Sequence, residues 1–158
     1  MTVIGIDPGL TGAIAVLDAP AGDQVHDMPT VRIGKTERLR IDTDSLRAIL
    51  ETLQGFADVR LVAVERQQSM PRQGVASTFQ TGYGYGLIVG VLVGLRLPWI
   101  DVRPAEWQRV VGWKGGKDGS RVLARQLHPE LGPALCRAKD HGRADALLIA
   151  HYARRHAT

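Results

Sequence analysis

Val3-Ile4-Gly5-Ile6-Asp7-Pro8-Gly9 opens the chain as a short apolar run that ends on one carboxylate, and Leu61-Val62-Ala63-Val64-Glu65 repeats that design near the middle. Both read as β-strands. Side chains alternate between faces along a strand, so Val3, Gly5 and Asp7 share one face, as do Leu61, Ala63 and Glu65. As neighbours, the two strands would bring Asp7 and Glu65 together at the end of a sheet. Carboxylates aimed at one point repel each other, and a hard divalent cation such as Mg²⁺, which takes oxygen ligands, relieves that repulsion. The pair therefore points to metal-assisted phosphate chemistry. Taken alone, either acid reads equally well as the cap of a strand beside a turn.

Working outward, residues 2–7, 13–17 and 24–28 read as three strands of an antiparallel meander, separated by Pro8-Gly9 and by the turn-rich Asp18-Ala19-Pro20-Ala21-Gly22-Asp23. Residues 32–40 hold Arg32, Lys35, Arg38 and Arg40 around Gly34 without apolar periodicity, which predicts a solvated loop whose charges could touch a phosphate. Asp42 or Thr43 then caps a helix with Leu46, Ile49, Leu50 and Leu53 as its apolar stripe, ended by Gly55. Residues 66–74, after Glu65, are polar and basic and read as a loop.

Gly82, Gly86, Gly90 and Gly94 recur every four residues among Leu87, Ile88, Val89, Val91, Leu92 and Val93. Glycine weakens a helix by ~1 kcal/mol per residue, so this spacing predicts a helix whose smooth ridge lets another backbone come close, either on the sheet or across a dimer axis. A glycine-rich strand pair is the competing reading. Tyr83-Gly84-Tyr85-Gly86 lacks the lysine and the preceding strand of a phosphate-binding loop. Residues 99–102 form a further strand, and Pro104 opens a helix with Trp107, Val110 and Val111 as apolar positions. After the break at 112–119, Ser120 can cap a helix with Val122, Leu123 and Leu127 inward and Arg121 and Arg125 outward. Residues 129–135 look irregular, and the chain is helical again from Arg143.

The 158 residues, 44% of them hydrophobic, predict one domain spanning 1–158 with a real core. A net charge of +4 gives a mild attraction toward a polyanion. Cys136 is the single cysteine, which excludes an intramolecular disulfide and a cysteine-rich zinc site and suits a reducing cytoplasm. No signal peptide is read at the start, and the apolar run 87–95 falls far short of the ~20 residues that span a bilayer, so no membrane is expected.

Four strings in order, Val3 through Gly12, Val64-Glu65-Arg66-Gln67, Arg103-Pro104-Ala105-Glu106-Trp107 followed by Val111-Gly112-Trp113-Lys114-Gly115-Gly116-Lys117, and Ala144-Asp145-Ala146-Leu147-Leu148-Ile149-Ala150, resemble the RuvC family of Holliday junction resolvases. The compact length is more similar to phage-type members. The resemblance implies an α/β, ribonuclease H-like fold: a mixed five-stranded sheet with its first three strands antiparallel, flanked by helices. It implies a homodimer that nicks four-way junction DNA in pairs with Mg²⁺ or Mn²⁺. Carried over, Asp7, Glu65 and Asp145 become metal ligands for two ions ~3.5–4 Å apart. Lys114 and Lys117 match basic positions expected at phosphates, and Arg66, Met70 and Arg72 lie where DNA contacts are expected. A branch-migration or replication partner is not readable.

Two departures from the family pattern stand out. The position three residues before the last aspartate, where the family places an acid or a histidine, is Gly142, with Asp140 and His141 beside it. On a helix through Asp145, His141 lies ~40° away around the axis and Asp140 ~140° away, so His141 is the expected fourth group. A kink at Gly142 would deliver Asp140 instead. The loop after Glu65 has Gln68, Ser69 and Met70 where the family has an aromatic wedge. Three other functions compete: a different ribonuclease H-like nuclease acting on RNA–DNA hybrids or branched DNA, a non-catalytic nucleic-acid-binding domain, and a sugar-kinase or actin-like ATPase. The last needs two related domains.

Overall fold

The computed structural model describes residues 1–35, 37–68, 72–116 and 118–157, and of Phe56 the backbone alone. In chain order the elements are β1 (Thr2–Asp7), β2 (Ala13–Leu17), β3 (Gln24–Asp27), β4 (Thr30–Ile33), β5 (Arg38–Ile41), α1 (Thr43–Phe56), β6 (Val59–Glu65), α2 (Val75–Gly94), β7 (Trp99–Val102), α3 (Pro104–Val111), α4 (Gly119–Leu127) and α5 (His141–His156). Short 3₁₀ turns at Pro129–Leu135 and Ala138–Asp140 lead into α5.

Five strands form one sheet in the order β3-β2-β1-β6-β7. Its first three strands are antiparallel, and β6 and β7 add in parallel, as the ribonuclease H-like expectation requires. In the β1–β6 register Val3 faces Leu61 and Gly5 faces Ala63, so Asp7 and Glu65 end neighbouring strands on the same side. That side is the α5 side. Val3, Ala15, Leu17 and Ala63 pack with Trp107 of α3, Ala124 of α4 and the alanine-rich inner face of α5. On the other side, Ile4, Ile6, Ile14, Val62 and Val64 meet Leu46 and Leu50 of α1 and Ile88 and Leu92 of α2.

The contact of α5 with β1 is made backbone to backbone. A Cβ on Gly5 would collide with the Ala146 carbonyl oxygen and the Ala150 amide nitrogen. Glycine at this point of the strand is what lets the helix lie on the sheet.

Several sequence expectations need correction. Residues 32–40 are largely a β-hairpin: β4 and β5 pair with Val31 opposite Arg40 and Arg32 opposite Leu39. Val31, Ile33 and Leu39 stay exposed and Ile41 is buried, so the ribbon has no alternating buried face to read. Helix α2 forms, but nothing lies within 4 Å of a Cβ built on Gly82, Gly86, Gly90 or Gly94, so this ridge does not pack on the sheet. Ile88 and Leu92 fill that role. Helix α4 begins before Ser120, which faces Asp145 and does not cap. Ala124, one turn on, is buried on the same face, which turns Val122 and Leu127 outward and leaves Arg121 half-buried, donating to the Cys136 carbonyl. Gly55 lies inside α1, which Asp42 caps by accepting the Ser45 amide. Among the described residues no helix is long and apolar enough to cross a membrane.

Gly5→Val is expected to cost about 3 kcal/mol of stability, the upper end for overpacking, in urea unfolding. Gly90→Ala, with open space around it, is expected to keep or raise the monomer's stability.

Candidate active site

Each acid is held by a local device. The Pro8-Gly9 turn folds back so that the Gly9 amide donates to Asp7 Oδ1 at 3.2 Å. The turn closes with the Gly12 amide on the Gly9 carbonyl at 2.9 Å, and a Cβ on Gly12 would strike the Asp7 carbonyl. Glu65 Oε2 accepts the indole N–H of Trp107 at 2.8 Å. Trp107 is buried in α3, whose start is set by Pro104 and whose end is set by Gly112 in the left-handed conformation (φ 79°). Asp145, on the second turn of α5, accepts the hydroxyl of Ser120 from α4. His141 opens α5 one turn earlier, and its charge acts on both Asp7 and Asp145.

Asp7 and Glu65 end neighbouring strands, and Asp145 on α5 lies close enough for its charge to act on both. Burial pushes Asp7 up to about 6, and the negative charge of Asp145 adds to the rise against the Gly9 hydrogen bond. Glu65 rises to about 7, chiefly by burial, with Asp7 and Asp145 adding to it and the Trp107 bond opposing. Asp145 is raised by burial against Ser120 and His141. Three half-buried carboxylates, each raised chiefly by burial, suit a hard divalent cation by the chemistry of their oxygen donors. Their bonds to Gly9, Trp107 and Ser120 keep them spread. Among the described residues, the potential ligands whose atoms all lie within 4.8 Å of one another are instead Asp23, His128 and Glu130.

Comparison with known proteins adds to this geometry. No family model matches the chain. RuvC of Thermus thermophilus, solved in complex with a Holliday junction substrate, superposes with a TM-score of 0.60 at 22% identity, covering 98% of this chain and 96% of that one. The chain has the RuvC fold. The yeast mitochondrial Holliday junction resolvase Ydc2 is similar at a TM-score of 0.53 and 13% identity, over 94% of this chain and 75% of that one. In sequence, the chloroplastic Holliday junction resolvase MOC1 of Chlamydomonas reinhardtii is 37% identical over 151 residues, or 89% of this chain. The chain spans 17% of the length of that relative.

Within the RuvC fold, the structure accounts for Gly142. A Cβ there would collide with the Thr11 carbonyl and stand 3.0 Å from Gly12 Cα and 3.2 Å from Asp7 Oδ2, so no ligand side chain fits at this position. The kink alternative is corrected. Helix α5 runs unbroken from His141, and Asp140, 3% exposed, is held by the Arg137 guanidinium at 2.8 Å and by the Arg137 amide at 2.7 Å. These bonds hold its carboxyl below the usual carboxylate range. Asp140 is a structural anchor, and His141 stands on the Asp7 side.

The basic residues scatter around this centre. Arg66 is exposed, 3.6 Å from Asp101, and lines a groove with Gln67, Gln68 and Arg103. Lys114 is exposed in the segment between α3 and α4, and Arg72 is exposed with a left-handed φ of 66°. Met70 and Lys117 lie outside the described residues. A cleft of about 260 Å³ runs from Pro8, Gly9, Leu10 and Thr11 to Arg40, whose guanidinium lies 5.1 Å from the centre of the Tyr83 ring. The sequence reading missed Trp107 and Ser120 as supports of the acids, and Arg103 as a groove residue. Trp107, three residues after a helix-opening proline at the edge of a sheet, carried a signal in its polar N–H, which needs a partner when buried.

The pH dependence follows from the raised carboxyls. Asp7 and Glu65 titrate higher folded than unfolded, so in metal-free protein their stabilising contribution is full below pH about 4 and is lost as pH rises through about 6 and about 7. Added Mg²⁺ or Mn²⁺ is expected to restore stability above pH about 7 and to do little at pH about 5, in thermal unfolding scans with and without the ion.

Proposed function

We propose that the chain is a metal-dependent, structure-selective endonuclease that resolves four-way DNA junctions, with residues 1–158 as one nuclease domain. The observation that carries this is the meeting of Asp7, Glu65 and Asp145 from two parallel strand ends and the facing helix, all reluctant to ionise, beside His141. Its sequence likeness to MOC1, which bears the name Holliday junction resolvase, and the RuvC fold support the substrate.

The residues fit Mg²⁺ or Mn²⁺, two ions per site, held by Asp7, Glu65 and Asp145 with His141 as the fourth group. A metal bound by these residues would supply Lewis-acid stabilisation of the scissile phosphate and the leaving 3′-oxygen and would activate a water for attack. The side chains do the rest. Trp107 and Ser120 fix the directions of Glu65 and Asp145, which keeps the donor oxygens in place through the reaction. His141, exposed at the rim, is the imidazole placed to hold or relay a proton beside the acids. Arg66, Arg72, Lys114 and, outside the described residues, Met70 and Lys117 are assigned to the DNA, the cations gripping its backbone. With no aromatic wedge in the described part of the 66–74 loop, the basic groove of Arg66 and Arg103 is the element placed to hold splayed strands.

We assign the homodimer to α2. Val75 and Phe79 are 88% and 66% exposed, Tyr83 and Val93 are exposed too, and the glycine ridge beside them leaves room for a second backbone. Two sites related by a twofold axis give paired nicks. Exposed, free Cys136 suits a reducing compartment such as the cytoplasm.

Asp7→Asn, Glu65→Gln and Asp145→Asn are each expected to lower junction cleavage by at least roughly 10²–10³-fold while junction binding persists in a gel-shift assay. His141→Ala is expected to slow turnover at neutral pH with the fold intact, whereas Asp140→Ala lowers the melting temperature because it frees Arg137. A panel of junction, duplex and RNA–DNA hybrid with Mg²⁺ tests the substrate, and preferred hybrid cleavage would overturn the assignment. Lys114→Ala is expected to weaken binding to all junction sequences alike and to flatten the salt dependence by about one unit.

A further inference from the structure

A second set of ligand-bearing side chains lies at the far end of the sheet. Asp18 follows β2 and accepts the Thr2 hydroxyl through its carbonyl, which places the β2–β3 turn beside the start of β1, the end opposite Asp7. His151 on α5 is six residues, ~9 Å along the axis, beyond Asp145. Against this turn stands His128, which follows α4 and is 2% exposed. Its Nδ1 is 3.5 Å from Glu130 Oε1 and 3.9 Å from Asp23 Oδ2, and the three ligand atoms all lie within 4.8 Å of one another. Asp23 is held in this pose by the Asp18 amide, which donates to its Oδ1 at 2.8 Å.

Neighbouring residues hold the His128 ring in place. Arg154 Nη2 lies 3.1 Å from His151 Nδ1, and a guanidinium can only donate, so that nitrogen carries a lone pair. His128 Nε2 faces the same nitrogen at 3.4 Å. A proton on Nε2 is donated to that lone pair and turns Nδ1, bare, toward the two carboxylates, whereas a proton on Nδ1 is shared with Glu130. In the first arrangement a buried ring nitrogen and two carboxylates converge, all within 4.8 Å of one another, and a divalent ion takes the place of the proton in the second.

We propose that Asp23, His128 and Glu130 bind a divalent cation, Zn²⁺ by preference, in a structural site separate from the catalytic carboxylates. Imidazole nitrogen and carboxylate oxygen are both zinc ligands, three of them leave a fourth tetrahedral position for water, and the nitrogen disfavours Mg²⁺. His151 orients the ring through its far nitrogen, as the outer partners of zinc-bound histidines do. Both carboxylates together balance the ion's charge. The bound ion ties the β2–β3 turn to the end of α4 and, through His151, to α5.

The test uses the 158-residue chain carrying Asp7→Asn and Asp145→Asn, which removes two of the three competing carboxylates. Zn²⁺ alone is expected to raise its melting temperature, and Co²⁺ alone to give the intense visible absorption of four-coordinate cobalt with nitrogen and oxygen ligands. Adding Asp23→Asn and Glu130→Gln, which leave the buried ring in place, is expected to abolish both. No cobalt band of that kind in the first protein overturns the proposal, as does a zinc shift that persists after the second pair of changes. Should the four-substitution protein fail to fold, the cobalt spectrum of the first decides alone.

Discussion

Everything at the proposed catalytic centre depends on α5 lying directly on β1. Helix and strand meet backbone to backbone at Gly5, and the first turn of the helix meets the Thr11 carbonyl at Gly142. Two missing side chains, one at each end of this contact, set the height and position of the helix. A wider spacing would lift Asp145 away from Asp7 and Glu65. The alanines of α5 that face the sheet, among them Ala146, Ala150 and Ala153, serve the same closeness. The helix–strand contact is thus a packing solution whose consequence is electrostatic.

That consequence is a cluster of carboxyls raised toward neutrality, held apart by three unrelated donors: a turn amide, an indole and a serine hydroxyl. Each donor favours the charged form of its acid, and burial opposes it. The balance leaves Asp7 at about 6, Glu65 at about 7 and Asp145 raised, and each gains from a cation once ionised. The same closeness explains the departure at Gly142. Here the helix sits too near the Thr11 turn for a side chain, and the adjacent His141 stands where it can serve.

Much of this was legible in the chain. Strand alternation put Asp7 on the face of Val3 and Gly5 and Glu65 on the face of Leu61 and Ala63, and the pairing of β1 with β6 brings the two acids together. Asp145 was not legible that way. Its helix is apolar on most sides, and only the ordered resemblance to RuvC singled it out. Helical angles then chose His141 over Asp140, and the Arg137 pairing of Asp140 fits that choice. The β4–β5 hairpin escaped because its strands bury almost nothing, so hydrophobic period had nothing to report. The α2 glycines were visible, but which face they occupied was not, since apolar residues surround them and packing alone separates inside from outside. Ser120 was misread for a related reason: a serine at a helix start is as able to serve a neighbouring acid as its own backbone.

The most direct test of the account is diffraction from crystals of the intact protein grown near neutral pH with Mn²⁺, using the anomalous signal of the ion. The account predicts anomalous density within ~2.0–2.3 Å of carboxylate oxygens of Asp7, Glu65 and Asp145. Density confined to other places, with these carboxylates still held apart by Gly9, Trp107 and Ser120, would contradict it.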